Sequence, residues 1–400
     1  MEFDMVDNAA IGTVIKVVGV GGAGGNAIQH MINKGMVGVE FIAANTDAQA
    51  LSRSTANNII QIGDTGLGAG MNPQVGRQLA EESRDRIEDA LRGAHMVFIA
   101  AGMGGGTGTG GAPIVAEIAR KLGALTVAVV SKPFSYEGQK CMDIADEGLE
   151  QLSVHVDSLI IILNEKLEDI YEDESMLEWM QHADDVLNNA VAGIAEIINV
   201  PGHINVDFND VKTIMGEQGK AMMGTAIASG VDRARIAAEQ AMASPLLDGI
   251  DLSGARGVLV NVTASRGLKG REIKEVMAAV RAFAAPDASI AQGIAYDDSM
   301  GDDIRVTVVA TGLGRNKKAI QLVPAQALRT GTHNGPSTPS ASVGGMASGG
   351  SVGMAAPGQS FAGAKPSVWR HESASEQVRA MEKNGMEIYD IPAFLRKQAD

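Results

Sequence analysis

The sequence predicts an α/β protein with a doubly wound parallel sheet in its first part and a smaller α/β region behind it. Three observations carry this: β-rich runs that alternate with amphipathic stretches up to about residue 165, one long helical stretch after them, and a second, shorter alternation before the composition changes. Alternation implies parallel strands, because each crossover lays a helix on a face of the sheet.

Residues 1–12 read as a flexible N-terminus. The predicted strands then follow at "TVIKVVG" (13–19), "GVEFIAA" (38–44), "NNIIQIG" (57–63), "HMVFIAA" (95–101), "ALTVAVV" (124–130) and "DSLIIIL" (157–163). Several are apolar throughout, as strands covered on both faces are. The clearest intervening helix is "NPQVGRQLAEESRDRIEDALRG", with Asn72 as N-cap, Pro73 in the first turn and Gly93 at the end. This first domain is bounded at 13–174. Residues 175–200 form a long central helix, in which Leu187, Val191, Ile194 and Ile198 recur at steps of four, three and four ahead of Pro201. Such spacing makes one buried stripe. The second domain, 201–315, has strands at "RGVLVNVTA" (256–264), "ASIAQGIAY" (288–296) and "DIRVTVVATG" (303–312), with a helix near "KGREIKEVMAAVRAFA".

From 316 to 384 the chain is Gly, Ser, Ala and Pro with few large apolar residues. It cannot bury enough surface to offset chain entropy, so a disordered linker is expected. In residues 385–400 Ile388, Tyr389, Ile391, Phe394 and Leu395 return beside Arg396 and Lys397. An apolar cluster after a long tether suggests a peptide for another protein's groove, or a helix that docks back on its own domain.

Four hundred residues with 45% hydrophobic and 20% charged content suit a soluble protein of two or three domains. A net charge of -15 argues against a nucleic-acid binder, since phosphate backbones are held by lysine and arginine. The only cysteine, Cys141, excludes an intramolecular disulfide framework and fits a reducing compartment. The acidic start and the lack of an apolar run of roughly 18 residues lead to the expectation of a cytoplasmic protein without a membrane segment. The seven histidines have no ligand-like spacing, and no metal-ligating residue is assigned.

Two glycine loops carry the chemistry. "GVGGAGGNA" (19–27) follows the first strand and opens a helix; it contains G-x-G-x-x-G as Gly19, Gly21 and Gly24, with Asp47 near the end of the next strand. That alone keeps a nicotinamide dehydrogenase open. The second loop, within "AAGMGGGTGTGGAP" (100–113), discriminates, because a dinucleotide fold has no need of another one after a later strand. Gly104 to Gly110 would present backbone N–H groups and the Thr107 and Thr109 hydroxyls at a helix start. Two such nests suit a triphosphate better than a pyrophosphate. Neither segment has the lysine of a P-loop, so charge must be offset by backbone dipoles and a metal ion, most simply Mg2+.

With "GGGTGTG" (104–110), "GVGGAGGNA", "NTDAQAL" (45–51), "GLGAG" (66–70), "NVDFNDV" (205–211) and the terminal "DIPAFLRKQAD", the sequence resembles the FtsZ family of bacterial tubulin-like cell-division GTPases. The likeness runs from about Thr13 to Thr311 and resumes in the last dozen residues. It implies a tubulin-like two-domain fold, with a Rossmann-like GTPase domain, a central helix and an activation domain. It places Gly22, Ala23, Gly24, Gly25 and Asn26 against phosphate and base, and Gly106, Thr107, Gly108 and Thr109 around the β- and γ-phosphates. Asn45, Asp47, Ala69 and Gly70 would line the γ-phosphate and metal side, Glu137 the ribose, and Asp185 the guanine; Asn164 and Cys141 fall at further nucleotide positions. Read alone, Glu137 and Asp185 would pass as solvated helix charges.

The resemblance makes Asn205, Asp207 and Asp210 catalytic in trans, meeting the nucleotide of the next subunit so that hydrolysis needs head-to-tail assembly into filaments. Read alone, Asp207 and Asp210 could equally be acids favoured at the positive end of a helix. The implied place is the division site at midcell, with FtsA- and ZipA-type membrane tethers and MinC-type regulators binding Tyr389–Asp400. Three positions depart from the family pattern. Cys141 stands where the family has an arginine near the phosphates, with Lys140 adjacent but turned about 100° away on a helix. Met180 replaces a phenylalanine against the base, with Trp179 either swinging in or packing in the core. "LNEKL" (163–167) replaces Pro-Asn-Asp-Lys-Leu. A non-hydrolysing scaffold is therefore the other rival.

Overall fold

β-Strands and helices alternate as the hydrophobic pattern dictates in this computed structural model, which describes residues 12–199, 206–216, 220–244 and 255–313. The first half runs β1 (Ile15–Val20), α1 (Gly21–Asn33), β2 (Glu40–Asn45), α2 (Ala48–Leu51), β3 (Asn58–Gln61), α3 (Pro73–Glu82), α4 (Arg84–Leu91), β4 (Met96–Gly102), α5 (Thr107–Lys121), β5 (Leu125–Lys132), α6 (Gln139–Ser153), β6 (Ser158–Leu163) and α7 (Asn164–Ile170). After it come α8 (Met176–Asn199), α9 (Phe208–Met215), β7 (Lys220–Ser229), α10 (Arg233–Met242), β8 (Gly257–Ala264), α11 (Gly270–Phe283), β9 (Ser289–Tyr296) and β10 (Asp303–Leu313).

Among the described residues, all ten strands share one sheet, in the order β3-β2-β1-β4-β5-β6-β7-β10-β8-β9. β1 to β6 are parallel throughout, and β10 runs antiparallel to β7 and β8. The two halves join where β6 pairs with β7 over only two rungs, Leu159 to Lys220 and Ile160 to Ala221. Apart from the edge strand β3, the strands of the first half are buried on both faces. One layer packs β1, β4 and β5 under α1 and α8, the other under α3 to α6.

α8 binds the halves together. Its buried side includes Leu187, Ala190, Val191, Ile194 and Ile197, spaced for one stripe, and this stripe lies in the same apolar cluster as Phe98 of β4 and Val309 of β10. Gly193 lets it approach β10, since a Cβ there would come within 2.9 Å of the Thr307 methyl. At the sheet, Glu196 takes a hydrogen bond from Arg305 at 3.2 Å and from Asn261 at 3.3 Å.

Two local expectations differ. The single helix expected over 72–93 is two, α3 and α4, because Ser83 leaves helical geometry and its buried hydroxyl accepts the Gly63 N–H at 2.8 Å. β7, "KAMMGTAIAS", has few β-branched residues and becomes a strand through its long pairing with β10. The linker 316–384 and peptide 385–400 lie outside the described residues, as do all but the last residue of the N-terminal stretch.

Candidate active site

The strand order reverses between β1 and β4, and both glycine loops leave the carboxyl ends of those two strands. A crevice at such a switch point is where doubly wound sheets bind ligands. α1 and α5 both begin here without a side-chain cap on their first N–H groups, whereas Asp47, Asn72 and Asp207 cap α2, α3 and α9. Two uncapped helix starts facing one crevice make an anion site.

The glycines hold the two loops together. Gly21 sits at φ 76°, and a Cβ on it would lie 2.9 Å from the Gly108 nitrogen; one on Gly108 would overlap the Gly102 carbonyl. Gly22 and Gly105 instead face open space on the crevice side. Backbone therefore packs against backbone behind the crevice and leaves bare amide in front.

The crevice is a cleft of about 650 Å³. Of the residues expected there it brings together Gly22, Ala23, Asn26, Gly70, Gly106, Thr107, Gly108, Glu137 and Asn164, with Met180 on the α8 wall. Gly25 and Asn45 line a smaller pocket that adjoins it through Gly22 and Asn26. The Asn164 side-chain oxygen is buried with no hydrogen-bond partner, an acceptor left open on the cleft wall.

Several expected residues are placed otherwise. Asp185 points away from the cleft: its carboxylate meets His30 Nε2 at 2.7 Å and Lys34 Nζ at 3.1 Å, on the side of a second cavity. Asp184 takes the cleft wall instead, because it lies one helical turn from Met180, whereas one further residue rotates the side chain by about 100°. The spacing from Met180 was the available signal. Thr109 turns inward, accepting the Gly104 N–H at 2.9 Å, so it shapes the loop rather than lining the cleft. Asp47 accepts the Gln49 and Ala50 N–H groups as a helix cap. Gly24 is buried beneath the Ala100 carbonyl, and Ala69 is buried beside Gly106. Cys141 is 6% exposed, close to Gly104, and does not line the cleft. Asn205 lies outside the described residues.

Sequence reading missed Lys132, Phe134 and Tyr136, all on the cleft wall. Phe134 stacks on Tyr136 at 5.5 Å and on Trp179 at 6.2 Å, while the Trp179 indole donates to the Tyr171 carbonyl at 2.7 Å. Trp179 thus packs behind the wall rather than swinging into the cleft. Lys132 is the one cation among the cleft-lining residues, paired with Asp146 at 2.6 Å.

Electrostatics separates the two adjacent carboxyls. Burial pushes Asp184 up to about 6, and no described residue donates a hydrogen bond to it. Burial also acts upward on Asp185, but the hydrogen bonds from His30 and Lys34 outweigh it and hold that group below the usual carboxylate range.

Asp207 and Asp210 belong to the opposite end of the molecule. Phe208, between them, meets the His95 ring edge-on at 6.3 Å, and His95 precedes the amino end of β4, whose carboxyl end carries the cleft. Both acids are exposed; Asp207 caps α9 through the Asn209 N–H at 3.0 Å.

A model of the Tubulin/FtsZ family GTPase domain matches residues 14–172, and one of the FtsZ family C-terminal domain matches 219–314. The chain belongs to the Tubulin/FtsZ family. The chain is a GTPase, and the matched GTPase domain supplies both glycine loops of the cleft. Among relatives, the cell division protein FtsZ of Pseudomonas putida is 49% identical over 407 aligned positions covering all of both chains. That of Buchnera aphidicola is 57% identical over 308 positions, 76% of this chain and 80% of the relative. Among solved structures, an empty FtsZ dimer of M. jannaschii superposes with a TM-score of 0.73 at 45% identity, covering 76% of this chain and 89% of that one. CetZ2 of Haloferax volcanii, at 21% identity and a TM-score of 0.63, shares the Tubulin/FtsZ fold.

Proposed function

We propose that this GTPase is a cell-division protein that assembles head to tail, with the cleft of one copy closed by Asp207 and Asp210 of the next. One observation carries the reading: the phosphate-binding loops and the acid pair sit at opposite ends of β4, so no single copy unites them. The carboxylates that line the cleft, Glu137 and Asp184, would with Tyr136 and Met180 form the base and ribose side. The glycine loops would hold the triphosphate, Glu137 the ribose, and Asp184 with Asn164 the guanine N1–H and 2-amino group, donors that adenine does not match. The incoming Asp207 and Asp210 would polarise the attacking water.

Among the described residues no cluster of acids, histidines or cysteines could hold a metal ion. The donors beside the phosphate loops, including the Thr46 and Thr107 hydroxyls 2.6 Å apart, fit Mg2+ only as a partner of phosphate oxygens and water. Such an ion would neutralise phosphate charge. The three domains, the flexible linker and a terminal peptide that binds FtsA-, ZipA- or MinC-type partners complete the proposal, placing the protein in the cytoplasm at midcell. None of the described helices is long and apolar enough to cross a membrane.

Light scattering and phosphate release, measured together in GTP and Mg2+, test this. Wild type should assemble and then disassemble, with turnover per molecule rising with concentration. Asp210→Ala should assemble and persist, with release reduced at least 100-fold, in keeping with loss of a positioned acid or base. Dilute monomers hydrolysing as fast as crowded ones would refute catalysis in trans.

A further inference from the structure

α1 carries the first glycine loop at its start, and His30 in its last turn and Lys34 at its C-cap hold Asp185. His30 Nε2 and Lys34 Nζ lie 2.7 and 3.1 Å from one Asp185 oxygen, and Asp185 is the immediate neighbour of Asp184 on α8. Asp184 faces the cleft, and no described residue donates a hydrogen bond to it. We propose that His30 and Lys34, by neutralising Asp185 and fixing the turn of α8, keep Asp184 ionised and aimed at the cleft, and so set guanine affinity without touching the nucleotide. This rests on the reading of Asp184 as the guanine acceptor.

The physical argument is one of neighbouring charge. A carboxylate beside Asp184 opposes its ionisation, and His30 favours it; both effects act on a group already raised by burial. Across the cleft Glu137 adds negative charge and Lys132 positive, the latter engaged by Asp146. Without His30 and Lys34, two adjacent carboxyls would share less positive charge, and the proton on Asp184 would be released at higher pH. Guanine needs the carboxylate as acceptor, so binding would weaken near neutrality and recover in base.

Calorimetric titration of GDP into the full chain from pH 5.5 to 8.5 tests this, GDP being used to avoid turnover. Wild-type affinity should fall as the pH drops below about 6. The paired substitution His30→Gln with Lys34→Gln should move that fall upward by about one pH unit, giving a loss of about threefold near pH 6.5, on the order of fivefold to tenfold between pH 6 and 5.5, and close to wild-type affinity at pH 8.5. Lys34→Arg should retain the wild-type profile. Asp185→Asn, which removes the repelling charge, should move the fall downward. A loss that is equal at every pH would mean that the pair only supports the helix, and no loss would mean that it does nothing; either overturns the inference. Asp184→Asn separates the two levels. It should abolish the pH dependence and favour xanthosine diphosphate over GDP. If it leaves GDP binding unchanged, the guanine reading falls and this inference with it.

Discussion

Asp184 shows how one side chain sets opposing demands. Its carboxyl is raised by burial, so the folded chain binds that proton more tightly than the unfolded chain does. The associated stability is full below the ordinary carboxylate pKa and is lost as pH rises through about 6. Asp184→Asn should therefore raise the stability of the nucleotide-free chain by about 1–2 kcal/mol at pH 7.5 and hardly at all at pH 4, read from urea midpoints at the two pH values. Cys141 is the second informative residue. Its side chain is enclosed near Gly104, so the cleft wall contributes Lys132 as its cation. Cys141→Arg, directed outward past the glycine loop, should increase phosphate release several-fold; an unchanged rate would show that Lys132 already suffices. Residue types and loop positions were legible in the sequence at this scale. Side-chain direction was not, as Asp185 and Thr109 demonstrate: both lie in the right segment, and a helical rotation or a local hydrogen bond turns each away.

Elements were read best where periodicity was strong. Six strands of the first half and the span of α8 match the apolar pattern to within a few residues, because continuous burial leaves few other conformations. The break between α3 and α4 was invisible, since a serine within a helical pattern gives no sign that a distant glycine N–H will claim its hydroxyl. β7 was hidden because alanine, methionine and glycine carry little β preference, and its partner β10 lies more than seventy residues downstream. α8 also presents a test at this scale. Glu196 gathers Arg305, Asn261 and Thr263 from the second half of the sheet. Glu196→Ala would leave the Arg305 guanidinium, half-buried, without that acceptor. A loss of about 1–2 kcal/mol in urea unfolding is expected, between the values for exposed and fully buried ion pairs, and Glu196→Ala with Arg305→Ala should recover part of it.

For the whole molecule, function follows from separation. The cleft and the acid pair mark the two ends of β4, so in the head-to-tail arrangement proposed above a row of copies would repeat the same contact in one direction and need not close. A sequence shows motifs but not poles; only the strand order and the His95–Phe208 contact reveal that the motifs face opposite ways. The sheet that spans both halves has an uneven fabric: β10 is laced to β7 along most of its length, whereas β6 and β7 share two rungs. Deuterium uptake along Leu159–Ile160 and Lys220–Ala221 should therefore be faster than in the middle of β4. If those positions instead exchange as slowly as the middle of β4, the sheet is uniformly rigid. Should they exchange early, a neighbour's push on one half would be felt as tilt about this narrow stitch, and the strain of a bent polymer would gather there while the glycine cradle kept its shape.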